Sequence, residues 1–328
     1  MERADGLAVV LGAGGGTGRA IVDELVRQGR RVRAVGRGEP RELPEGVETT
    51  RADLYDVADA ARAVAGASVV YHAAQPAYDR WHGNFERMND AVARAAGDAG
   101  ARLVFADNLY VYGPGSSPMR ETTPQQATDR KGALRRALAA DLLGRHERGE
   151  VEVVIGRSAD YFGPYGTNSG FGERLFGAIV AGKAAAAAGR IDQPHSMSYL
   201  PDLARAMVVL GDRAEAAGRA WHLPVMDAMT VRAFAERAFA VAGLPPRIRV
   251  DGPLAMRVAG LFVPMAREVS VVMYQWTEPF VSDWSAFDAA FGPFERTSLD
   301  SALEATVAWW RSRAANVEAG ARSASAAA

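Results

Sequence analysis

No cysteine occurs in the 328 residues, which excludes disulfides, thiolate catalysis and thiolate-bound zinc together. Histidine is scarce: the 5 present are scattered too widely to form a ligand cluster, so no metal site is expected. An excess of either charge is missing as well. With 38 basic against 39 acidic residues, the totals do not indicate a nucleic-acid-binding face. Nor is there a long uninterrupted apolar run. The most apolar later stretch, Leu254 to Trp276, is broken by Pro264 and carries Arg257, Arg267 and Glu268, so it reads as a core-facing helix pair rather than a bilayer span. The opening residues, Met1 to Gly6, are charged and lack the apolar core of a secretion signal. These absences lead to the expectation of a cytoplasmic protein without membrane attachment.

What is present is organised around residues 7–37. Leu7, Ala8, Val9, Val10 and Leu11 form an unbroken apolar run of strand length, as expected of a strand buried on both faces of a parallel sheet. Glycine then recurs at every third position, at Gly12, Gly15 and Gly18. In a nucleotide-binding turn the first permits the bend, the second lets backbone approach a pyrophosphate, and the third packs helix on strand. Ile21, Val22, Leu25 and Val26 follow at helical spacing, Gly29 is placed to end the helix, and Val32 to Val35 reads as the next strand. Gly12, Gly14, Gly15, Gly16, Thr17 and Gly18 are therefore the expected phosphate-binding residues, with the helix amides as anion donors.

The G-x-x-G-x-x-G spacing, together with the later strand ends, resembles the short-chain dehydrogenase/reductase superfamily. Its extended branch, the NAD-dependent epimerase/dehydratase family, is the better match, and the likeness runs from about Leu7 to the Trp309 region. It implies a doubly wound parallel α/β sheet of Rossmann type with a smaller C-terminal α/β substrate lobe, and it implies a bound nicotinamide cofactor. Relatives that use NAD carry an acidic residue where this chain has Gly36, followed by Arg37. Glycine leaves room for a 2′-phosphate and arginine offers planar donors to it, so NADP(H) is favoured over NAD(H). The bland alternative makes Arg37 a solvated strand-end residue. Asp53 and Leu54, after a third strand at Val47 to Arg51, stand where the family contacts adenine, although Asp53 is equally a candidate cap for the helix Val57 to Val64. The fourth strand, Ser68 to His72, runs into Ala73 and Ala74, which resemble the family's segment beneath the cofactor. In the loop beyond it Trp81 either borders a substrate or packs the loop.

The family pattern breaks after the fifth strand, Arg102 to Ala106. The closing Val111, Tyr112 and Gly113 resemble the family signature and fix a register that puts Asn108 where a catalytic serine or threonine is usual. An amide donates a hydrogen bond but does not relay a proton as a hydroxyl does. The family's Tyr-x-x-x-Lys pair is missing: no tyrosine lies between Tyr112 and Tyr161. Lys131 and Gly132 with Arg135 align with Tyr-Gly-x-x-Lys after a one-residue gap; without it Gly132 and Arg136 take the two positions. Two substitutes for the proton-handling tyrosine remain open. Tyr110, two residues past Asn108, points to the same side if the segment is extended, and a neighbouring cation would bring its pKa toward neutrality. Lys131 is the other, with a pKa depressed by burial.

Downstream, Val151 to Ile155 reads as a sixth strand, and Asp160 stands at a position that is asparagine in the family and commonly faces substrate. An aspartate there favours a cationic or hydroxylated partner over a diphosphate, unless it pairs with Arg157 or a backbone amide. His195 replaces the arginine that often binds a nucleotide-sugar phosphate, and it is the third substrate candidate beside Trp81 and Asp160. Thr230 is placed to cap a helix over Val231 to Val241. The expected organisation is a cofactor domain over 1–165, with core strands continuing to about 225, lobe elements over 166–315 and a disordered tail over 316–328. The leading expectation is an NADP(H)-dependent oxidoreductase reducing a C=O, C=C or C=N bond of a small, rather apolar metabolite. An epimerase or dehydratase that retains NADP, and a non-catalytic redox sensor, are the alternatives, and a homodimer is left open.

Overall fold

The computed structural model describes residues 6–38, 43–252 and 261–326. Most of the charged start and residues 253–260 of the expected helix pair lie outside the described residues.

Strand β1 (Leu7–Leu11) leads through the glycine turn into helix α1 (Gly16–Arg27), and β2 (Val32–Gly36) and β3 (Glu48–Arg51) follow. Then come α2 (Val57–Val64), β4 (Ala67–His72), α3 (Asn84–Asp98), β5 (Arg102–Asn108), α4 (Arg130–Glu147) and β6 (Val153–Ser158). These strands and β11 (Ala220–His222) form one seven-stranded sheet in the order β11-β6-β5-β4-β1-β2-β3, with every neighbouring pair parallel. Chain order reverses between β1 and β4, and a crevice opens there beyond the strand ends, which is where sheets of this kind bind ligands.

The period of two along each strand divides the core. Val9, Leu11, Val70, Leu103 and Phe105 face α2, α3 and α4, while Ala8, Val10, Val69, Tyr71 and Val104 face α1 and α6 (Leu200–Asp212). Residues on both faces are buried, which is why β1 reads as an unbroken apolar run. The sixth strand begins two residues later than its apolar run suggests, because Val151 is buried in the turn before it rather than in the ladder.

A smaller lobe gathers the short pairs β7 (Asp160–Phe162) with β10 (Met197–Tyr199), β8 (Ala185–Ala188) with β13 (Ile248–Asp251), and β9 (Pro194–His195) with β12 (Met229–Thr230). Helix α7 (Val231–Val241) starts at Thr230, whose hydroxyl accepts from Ala233 N at 3.1 Å. Its apolar face joins Phe162, Phe171, Phe176 and Trp276 in a separate core. Two sequence expectations are corrected. The helix over Leu299–Ala326 continues through the residues expected to fray. Within the expected core-facing pair, Leu261, Phe262 and Val263 are exposed, and the apolar side chains that are buried are Val272, Met273 and Trp276. Among the described residues no helix is long and apolar enough to cross a membrane.

Candidate active site

A single cavity of about 1170 Å³ runs from the glycine turn to the small lobe. At one end lie Gly12 to Thr17, Gly36 and Arg37, Asp53 and Leu54, and Ala73 and Ala74. Gly12 adopts φ +81, and a Cβ there would stand 2.6 Å from Ala74 N, so the turn after β1 is pressed against the end of β4. A Cβ on Gly18 would stand 2.3 Å from Gly12 O, which is the close contact of helix on turn. Gly14 meets nothing within 4 Å and is open to the cavity. The residues present therefore fit a pyrophosphate: a glycine cradle open on the cavity side, followed by the unpaired amides of a helix start.

Arg37 is exposed, lines the cavity and has no side-chain partner among the described residues. Asp56, not Asp53, caps α2, accepting from Asp59 N at 2.8 Å. Asp53 Oδ1 accepts from Tyr55 N at 3.0 Å and turns the chain along the cavity rim. A loop from the other lobe closes over the glycine turn. Its Tyr165 holds φ +64, unusual for a residue with a side chain, and its ring lies under Arg19 at 4.4 Å and edge-on to Trp309 at 5.1 Å. Backbone held in such a conformation collects at functional sites.

The far end is an aromatic chamber. Tyr78, Trp81, Tyr110, Phe171, Trp276 and Phe280 all line it, drawn from segments up to two hundred residues apart. Asn108 ends β5 and its Oδ1 accepts from Tyr110 N at 3.1 Å, which leaves its amide nitrogen as the donor on the cavity wall. The segment after Asn108 is thus not extended but a 3-10 turn over Leu109–Tyr112, so the condition for Tyr110 to share a side with Asn108 is not met. The Tyr110 hydroxyl lies 3.4 Å from that of Tyr78 and 3.5 Å from the Gln275 amide. With that amide turned to satisfy its neighbours, Gln275 donates to Asp160 Oδ2 at 3.0 Å and accepts from Trp276 Nε1 at 3.1 Å.

The expected activation of Tyr110 does not occur. Burial, and then the Asp160 carboxylate, push its pKa up to about 12. Lys131 does not line the cavity. Its ammonium donates to Tyr78 O at 2.6 Å, pairs with Glu268 at 3.0 Å, and lies over the rings of Tyr78 at 3.7 Å and Trp81 at 4.1 Å. Burial lowers its pKa against the opposing effect of Glu268. It props the chamber wall from behind.

The residue of this helix that lines the cavity is Arg135, in the sequence only an alignment partner of Lys131. It contacts Asp107 at 3.4 Å and Gln75 at 3.1 Å and lies 4.5 Å from the Trp81 ring. The four-residue spacing to Lys131 was the signal that it shares a helical face with the expected site. Asp160 pairs not with Arg157 but with His195 Nε2, at 2.9 Å. His195 is 2% exposed, stacked on Trp276 at 4.6 Å and on Phe280 at 5.3 Å, so it stands behind Asp160 rather than on the cavity. Arg157 instead joins a buried chain of polar groups under the chamber, reaching Asp107 at 3.0 Å and Tyr112 at 3.1 Å, with Tyr112 2.6 Å from His222 Nε2. Gln275 and Trp276 carry no motif and were not legible as site residues.

The fold has wide company among solved structures. An epimerase, Mth375 from Methanothermobacter thermautotrophicus, superposes with a TM-score of 0.81 at 17% identity, covering 96% of each chain. UDP-N-acetylglucosamine 4-epimerase from Methanobrevibacter ruminantium M1, solved with UDP-N-acetylmuramic acid, gives 0.78 at 20% identity, covering 95% of this chain and 100% of that one. MoeE5, solved with UDP-glucose and NAD, gives 0.74 at 22%, with coverages of 94% and 99%. No curated protein matches the sequence. The model of the NAD dependent epimerase/dehydratase family matches residues 8–223, from β1 to just past β11, and the chain belongs to that family.

Proposed function

We propose that the chain is an NADP(H)-dependent reductase acting on an electrophilic double bond of a small, mostly apolar molecule. The observation that carries this reading is the continuity of one cavity, from a glycine cradle with Arg37 at its rim, unpartnered among the described residues, to an aromatic chamber holding Asn108 and Tyr110. The cradle amides would hold the pyrophosphate, and Arg37 the 2′-phosphate in planar, charge-assisted contact. The cofactor, when bound, supplies hydride. Asn108 would donate its amide hydrogen to the acceptor atom of the substrate, and Tyr110, which stays protonated, would add a second hydrogen bond. The rings around them exclude water.

Sugar-nucleotide epimerisation or dehydration with retained cofactor is the second reading, favoured by the family match and by neighbours such as the UDP-N-acetylglucosamine 4-epimerase. It begins with removal of a hydroxyl proton, and the groups at hand suit that badly. Tyr110 is pushed up to about 12, Lys131 is engaged with Glu268, and the Asp160 carboxylate on the cavity wall would repel a diphosphate. Stopped-flow absorbance of NADPH with a panel of carbonyl, enone and imine compounds separates the readings. Net consumption is expected. Conversion of a UDP-sugar without consumption would replace the reductase by the epimerase or dehydratase, and binding without any turnover would leave a sensor.

A further inference from the structure

Building on the reductase reading of the same cavity, we propose that the substrate is a cationic iminium ion, held by Asp160 within the aromatic chamber and reduced to its amine without a proton from the protein. Three observations converge on this.

The first is the charge of the chamber. Asp160 lines it with 18% of its side chain exposed, and its two partners, His195 Nε2 and the Gln275 amide, both meet Oδ2. Oδ1 has no protein partner among the described residues, and no arginine or lysine pairs with the carboxylate. Arg135 is the nearby cation, but it is engaged by Asp107 and Gln75 and by the faces of Trp81 and Phe85. At the hydroxyls of both Tyr78 and Tyr110 the influence of Asp160 exceeds that of Arg135. A carboxylate in apolar surroundings with one open oxygen selects a cation.

The second is the wall. Aromatic faces attract organic cations, more strongly when water is excluded. Tyr78 and Trp81 already hold one ammonium, that of Lys131, from behind. A planar iminium in the chamber meets the same chemistry from the front.

The third is the missing acid. Reduction of a ketone leaves an alkoxide that must be protonated. The phenols of the chamber, Tyr110 and Tyr78, are both pushed up by burial, and a phenolate on either would be left buried near Asp160 with no lysine among the lining residues to offset it. An iminium needs no such step. The iminium carbon accepts hydride from the reduced nicotinamide, a C–H bond forms, and the C=N π pair withdraws to nitrogen as its lone pair. The iminium is reduced, the nicotinamide is oxidised, and no proton enters the balance. The departures from the family pattern at Asn108 and Lys131 and the carboxylate at Asp160 then have one cause.

The test uses the full chain, NADPH, and two probes matched in shape: an N-methyl-3,4-dihydroisoquinolinium ion, which is permanently charged, and α-tetralone. Smaller and larger N-alkyl iminium ions extend the series. NADPH affinity is measured separately by fluorescence titration. The inference expects kcat/KM for an iminium ion to exceed that for its ketone by about 100-fold. Asp160→Asn should lower the iminium-to-ketone ratio by about 30-fold with NADPH affinity retained, while Tyr110→Phe should raise it. Reduction of the ketone in preference to every iminium ion overturns this inference and leaves the reductase reading in place. An equal loss for both probes in Asp160→Asn also overturns it, since a purely structural aspartate would act on both alike. Bound NADPH that no iminium ion consumes overturns it as well, and failure to bind NADPH at all removes the reductase reading itself.

Discussion

The two ends of the cavity are built by different means. At the cofactor end most of the groups are backbone amides and glycines without side chains, contributed by residues adjacent in sequence: the turn from Gly12 to Gly18 meets the end of β2 at Val35 and the end of β4 at Ala73 and Ala74. At the substrate end they are side chains, and neighbours in space come from β5, β6, the loop after β4 and the turn at Met273–Trp276. Tolerance should differ accordingly. A backbone cradle fails when an atom is added where it meets backbone, as at Gly12 and Gly18, whereas a side-chain chamber changes selectivity before it changes fold.

The sharpest break of that contrast is Gly18→Ala. With its Cβ at 2.3 Å from Gly12 O, the turn must shift, which is expected to cost about 3 kcal/mol of stability and to abolish NADPH binding, read by thermal unfolding and fluorescence titration. Wild-type affinity in this variant would mean that the cradle is not built as described.

Acid provides a second comparison, since each end rests on a buried histidine. Burial, chiefly, lowers His72 under the cofactor end and His222 under the chamber to about 4. Both folded values lie below the unfolded one of about 6.5, so the unfolded chain takes up protons more readily as pH falls. Stability is fully present above about pH 6.5 and is lost between there and pH 4, by about 1.4 kcal/mol per pH unit for each histidine. Replacing either one with glutamine should remove about half of that slope in denaturant midpoints measured against pH. A slope unchanged in both variants would assign the acid loss elsewhere.

A smaller effect is expected at the chamber from Tyr110→Phe. Turnover of a carbonyl substrate should fall about 10-fold through lost hydrogen bonding, with NADPH affinity within about 2-fold of wild type. A joint loss of both would show that the two ends are not separable. Of similar size is the effect of Arg37→Asp, which should weaken NADPH about 10-fold more than NADH in paired titrations. Equal weakening would remove the 2′-phosphate contact.

Legibility followed the same division. Leu7–Leu11 and Val57–Val64 were read with the bounds they have, because apolar periodicity, glycines and caps act within a few residues. The Thr230 cap was equally local. The long carboxy-terminal helix escaped because alanine and serine at its end suggest fraying. At the chamber the residue types were legible and their directions were not. Lys131 and Arg135 share a helical face, yet one meets Glu268, far along the chain, and the other meets the cavity. Tyr110 is not where an extended strand would put it, because the Asn108 side chain accepts from its amide and starts a 3-10 turn.

The sequence by itself determined the sheet, the family and the glycine turn after the first strand, since these depend on spacing within one strand, turn and helix. The tertiary structure alone decided that Asp160 keeps one oxygen open to an aromatic space, that His195 stands behind it, and that Lys131 pairs with Glu268 off the cavity. Those outcomes depend on burial and on charge partners brought together from distant segments, and the field of a buried charge is set by what surrounds it in space, not by its neighbours in the chain.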